Sequence, residues 1–135
     1  MKRNDNLAMG WIAIAGVSLL AAGLLGFVNN PIVGRADAIF ATGTVHNLVH
    51  VLTGLLALYI AFMLKGEMQA NAVIGFGILY GLVFVALIVS NNLFGLFEYQ
   101  VNVGDHLLHA GVAIISIFVG LMARTSAMSS GATSR

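Results

Sequence analysis

Four stretches of this chain, 7–28, 45–64, 70–93 and 107–123, each run for about twenty residues without one charged side chain. A helix rises 1.5 Å per residue, so about 20 residues cross the roughly 30 Å hydrocarbon core of a bilayer. In lipid every backbone group must be bonded within its own segment or in a closed barrel. The runs are continuously apolar rather than alternating, which selects helices. Charged residues make up only 8% of the chain, against about 25% in a soluble domain, so the surface is not built for water. The reading is all-α: a transmembrane four-helix bundle forming one domain over residues 1–124, with 125–135 as a disordered cytoplasmic tail.

Punctuation separates the runs. Asn29, Asn30 and Pro31 stop the first, because proline cannot donate to a continuing helix. Lys65, Gly66 and Glu67 turn the chain after the second, and Asn91 and Asn92 close the third. Lys2 and Arg3 precede the first run as they would a signal peptide, but the run exceeds a usual signal core and no small-x-small cleavage site follows. A retained helix is expected. Lys2, Arg3, Lys65, Arg124 and Arg135 fall on one side of a four-span chain and only Arg35 on the other. The positive-inside rule then puts both termini in the cytoplasm of a bacterial inner membrane. Asp37, Glu98 and Asp105 lie on the outer side.

The halves repeat each other. Leu25-Gly26-Phe27-Val28 corresponds to Phe94-Gly95-Leu96-Phe97, and His46-Asn47-Leu48-Val49-His50 to Asp105-His106-Leu107-Leu108-His109. Two copies of two spans each keep one orientation, so the bundle is read as two parallel two-helix repeats. On these motifs the chain resembles a bacterial family of four-span integral membrane proteins, domain of unknown function 4383. Its first-half H-N-x-x-H segment is matched in the second half by a D-N-x-x-x-H-like or D-x-x-x-H segment. His46, Asn47, His50, Asp105 and His109 fit that pattern, whereas His106 stands where asparagine is expected. The resemblance implies fold and topology and no chemistry.

Four histidines among so few polar residues are the chemical signal. Residues four apart share a helix face, so His46 pairs with His50 and Asp105 with His109, and His106 lies one turn before His109. A repeat axis between spans two and four would set His50 opposite His109. His46, His50, Asp105 and His109, with His106 as a further candidate, form an outer-leaflet site for zinc or copper, or for haem between opposed imidazoles. The structural alternative has the histidines hydrogen-bonding across helices and to Asp105, with Thr44 capping the second helix and Asn102 and Asp105 forming a capping box on the fourth.

Two small-residue rows, Ser18/Ala22/Gly26 and Gly77/Gly81, are read as helix-packing faces. Trp11 and Tyr99 are placed in the aromatic belts at the two surfaces. Nucleotide loops and nucleophile motifs are missing, net charge is +1, and there is no cysteine. Nucleic-acid binding and enzymatic activity are therefore not expected. The leading reading is a non-enzymatic accessory or structural membrane protein, with the lipid bilayer and a membrane-protein partner or second copy as its contacts. Metal or haem binding and a small oligomeric permease are the alternatives.

Overall fold

The computed structural model describes residues 3–132. Four helices carry the chain: α1 (Arg3–Leu25), α2 (Thr44–Met63), α3 (Gly66–Val89) and α4 (Val103–Ala132). Between α1 and α2 lie two short strands, β1 (Val33–Gly34) and β2 (Phe40–Ala41), paired in parallel with Val33 opposite Phe40 and Gly34 opposite Ala41. All four helices are long and apolar enough to cross a membrane. The polarity is inverted relative to a soluble bundle. Leu52, Leu82 and Ile114 are about two-thirds exposed, while His46, Asn47, His50, Asp105, His109 and Ser116 are buried. Apolar surface of that extent needs lipid around it. This is a multi-pass membrane protein.

The chain folds as two antiparallel hairpins, α1 on α2 and α3 on α4, joined mainly where α1 meets α4. Glycines permit the close approach within each hairpin. A Cβ on Gly54 would sit 2.6 Å from the backbone nitrogen of Leu20, and one on Gly77 would sit 2.8 Å from the carbonyl oxygen of Ala113. At those distances no side chain fits unless the helices separate. The mid-bundle core gathers Ile12, Leu19, Ile60, Val73, Phe76 and Tyr80 from three helices and Val112 from α4. Gln69 fastens the α2–α3 turn by donating to the carbonyls of Ile60 and Ala61 at 3.1 and 2.9 Å.

Of the expected packing rows, Gly77 lies at a tight crossing and Gly26 lies directly under the Asn47 side chain, whereas Gly81 has only ordinary contact with Ala113. Ser18 and the half-buried Ala22 instead line a cleft beside α1, and the α1–α2 crossing uses Gly16 and Gly23. The face shifted because the wider apolar stripe, with Ile12, Ala15 and Leu19, turns that side of α1 inward. Trp11 is half-buried. Its indole donates to Ser116 Oγ at 2.9 Å, joining α1 to α4 inside the bundle.

Helix ends differ from the apolar runs for local reasons. α1 stops at Leu25 because Asn30 gathers the exit, donating to the carbonyls of Leu25, Val28 and Val33 and accepting from the amides of Ile32 and Val33. α3 begins at Gly66 and ends at Val89, where the Ser90 hydroxyl and the Asn92 carboxamide take over the backbone groups of the following turn. That turn holds Leu93 and Phe94 at φ of 50° and 59°, a left-handed conformation uncommon for such residues.

The expected disordered tail is helical as far as Ala132. Thr125, Ser126 and Ser129 bond back to carbonyls one turn earlier, and Asn4 of α1 clamps Ser126 and the Met122 carbonyl. Lys2 and Arg135, two of the cations used for orientation, lie outside the described residues.

Candidate metal centre

His46 and His50 leave α2 on the same face, as their spacing requires, with ring centroids 4.4 Å apart. His109 reaches them from α4, at 5.7 Å from His46 and 5.9 Å from His50. The backbones of α2 and α4 do not approach each other, so these imidazoles bridge the diagonal of the bundle. One ring nitrogen from each of the three lies within 4.8 Å of the others, and all three residues are buried. His50 is six residues beyond Thr44, about 9 Å along the axis from the start of α2. Phe97, from the α3–α4 connection, stacks on His46 at 4.3 Å between centroids, and Tyr80 packs on His109 at 5.6 Å.

Hydrogen bonding divides the cluster. A carbonyl can only accept, so the 2.6 Å contact to the Asp105 backbone oxygen puts a proton on His109 Nδ1 and leaves Nε2 with a free lone pair. This outward N–H···O=C bond is the arrangement that orients metal-bound histidines. His50 is unpartnered at both ring nitrogens, and His46 makes no hydrogen bond of good geometry, only a weak contact with the Ala41 backbone. A buried polar atom left without a partner costs about 1–3 kcal/mol. The ring nitrogens of His50, and those of His46 apart from that contact, therefore stand open to a ligand in the space between the rings. The cross-helix hydrogen bonds of the structural reading are therefore not what these two histidines make.

Asp105 does not join the three imidazoles. Its Oδ2 accepts from the amides of Ala41 and Asn102, both at 3.0 Å, while the Asp105 amide donates to Asn102 Oδ1 at 3.2 Å. The capping box of α4 is thus present, and the same carboxylate pins β2 against that helix. Its other oxygen is buried without a partner. Asp105 acts on the centre through its backbone, as the acceptor that turns His109. His106 points elsewhere, edge-on to Phe84 at 6.0 Å.

Thr44 is not the cap of α2. Gly43 holds that position, and the Thr44 amide donates to Glu98 Oε2 at 3.2 Å. An acidic side chain from the second connection therefore sits at the N-terminus of the second helix, where the macrodipole favours it.

Sequence reasoning missed Phe97, Tyr80 and Thr53. The Thr53 hydroxyl donates to the Val49 carbonyl, so in its 2.7 Å contact with Tyr80 the phenol is the donor. Only the polar tip of a buried tyrosine would have pointed to that pairing. Asp105→Ala is expected to strand two amides and cost roughly 2–4 kcal/mol of stability, with Asp105→Asn, which keeps an acceptor oxygen, losing less. Denaturation in detergent checks this, and equal losses for both variants would count against the capping role.

The chain was compared with protein-family models, curated proteins and solved structures, and none of them matches it.

Proposed function

We propose that this protein is a metal-binding membrane protein that holds one divalent transition ion on His46, His50 and His109. The observation that carries this is the convergence of three buried imidazoles, each offering one ring nitrogen within 4.8 Å of the others. Neutral imidazole suits zinc, copper, iron and nickel. Zinc bonds its nitrogens at about 2.0–2.1 Å, which sets tetrahedral ligands roughly 3.3 Å apart. Small side-chain rotations close the 4.8 Å spread to that value. Three protein ligands leave a fourth position open, as in zinc sites that bind a water or a substrate.

An ion suits this space better than haem. His46 stands against the flank of the His50–His109 pair, 4.4 and 5.7 Å from the two rings, and Phe97 and Tyr80 cover imidazole faces. A porphyrin needs a slot that these rings fill. Protein purified in detergent without chelator is expected to carry about one metal ion per chain by elemental analysis. His46→Ala and His109→Ala should each lower occupancy at least tenfold, whereas His106→Ala should leave it unchanged. A metal-free protein that takes up no zinc, cobalt or copper overturns the assignment.

The topology proposed with it has both helix-bundle termini in the cytoplasm of a bacterial inner membrane and the metal centre in the outer leaflet. Lys65 and Arg124 at one end of the bundle, against Arg35 at the other, support it. The matched motifs around His46 and Asp105, which fall in the two hairpins, support the reading of two parallel repeats and membership of the four-span family. Asn30→Cys should react with an impermeant thiol reagent applied to intact cells, and Glu67→Cys should not. The reverse pattern inverts the proposed orientation.

A further inference from the structure

Beside the metal centre lies a cleft of about 390 Å³, walled by α1, α4 and the first connection. That volume falls within the 300–1,000 Å³ of small-molecule sites. Its mouth is marked by exposed Ile14 and Leu25, and its inner wall includes buried His50, unpartnered at both nitrogens. Trp11, the single tryptophan of the chain, also lines it. The remaining wall is almost wholly apolar, so a ligand here needs one polar head and an apolar tail.

Charge selects the head. Three neutral imidazoles leave the charge of a divalent ion unbalanced in a low-dielectric interior, where an uncompensated charge is costly. The only buried carboxylate among the described residues, that of Asp105, is bonded to the amides of Ala41 and Asn102. A balancing anion must come from outside the chain, and the cleft leads from the lipid side to His50. We infer that the protein binds a membrane-dissolved long-chain carboxylate, with its tail between α1 and α4 and its head on the open position of the metal. This rests on the metal assignment above.

The test uses the full chain in nanodiscs and the fluorescence of Trp11. A brominated long-chain fatty acid is titrated against zinc-loaded and chelator-treated protein, with phosphatidylcholine carrying the same brominated chain as the second arm. The fatty acid is expected to quench saturably, with its half-saturation point raised at least tenfold by zinc removal. Ser18→Phe, on the exposed side of α1, should abolish saturable quenching while one zinc per chain is retained, and Ala22→Leu should weaken it in the same sense. Zinc bound without saturable quenching overturns this inference alone. Equal quenching by fatty acid and phosphatidylcholine, indifferent to zinc, also overturns it and makes the cleft an ordinary lipid-facing groove. Failure to bind any of zinc, cobalt and copper overturns the metal centre and this inference together.

Discussion

Chelation is expected to lower the melting temperature of the detergent-solubilised protein by roughly ten degrees. A ligand that binds only the folded state stabilises it by RT ln(1 + [L]/Kd), which is about 4 kcal/mol at a thousandfold excess over Kd. At the proposed centre an ion would satisfy buried ring nitrogens, which is one source of a low Kd. Zinc should restore the loss, and His46→Ala or His109→Ala should make the protein indifferent to both reagents. Protons compete with metal for imidazole, so the stabilisation is present at neutral pH and is lost as the medium is acidified. A melting temperature that ignores chelator at neutral pH and at pH 5 alike would argue that no ion bears on the fold.

Gly54→Ala is expected to destabilise the protein by about 3 kcal/mol, the upper part of the range for overpacking a tight site. The added methyl group meets backbone, the nitrogen and Cα of Leu20 and the carbonyl of Gly16, and none of these can rotate aside. Gly75→Ala provides the control. Gly75 lies on an exposed face of α3 with nothing within 4 Å of its would-be Cβ. Alanine there gains helix propensity, up to about 1 kcal/mol. Opposite signs from the same chemical change would locate the hairpin contact, and like signs would show that α1 and α2 do not cross there.

The four helices were legible because lipid imposes one rule over a long stretch, and the apolar runs record it without interruption. The pairing of His46 with His50 was legible for the same kind of reason, since helical spacing alone puts them on one face. The role of Asp105 was not. Spacing placed its side chain beside His109, but its carboxylate is taken by the amides of Ala41 and Asn102, and Ala41 is 64 residues away in the chain. No local pattern encodes such a bond. The caps show the same contrast: Asn102 and Asp105 form a local pair and were readable, while Glu98 reaches Thr44 from a distant connection. The packing face of α1 was misread in part: Gly26 does meet Asn47 of α2, but Ser18 and Ala22 share its small-residue row without facing that helix and line the cleft instead.

The division of the three imidazoles between hairpins has a consequence for biogenesis. Ribosomes deliver α1 and α2 to the bilayer before His109 has been translated, so the nascent first half holds two imidazoles and a β2 strand that lack their partners from α4. Only when α4 arrives does Asp105 seize Ala41 and His109 close the triangle. At the proposed metal centre, capture of an ion would therefore be tied to completion of the polypeptide, and an ion acquired at that stage would staple together two halves that meet only after synthesis.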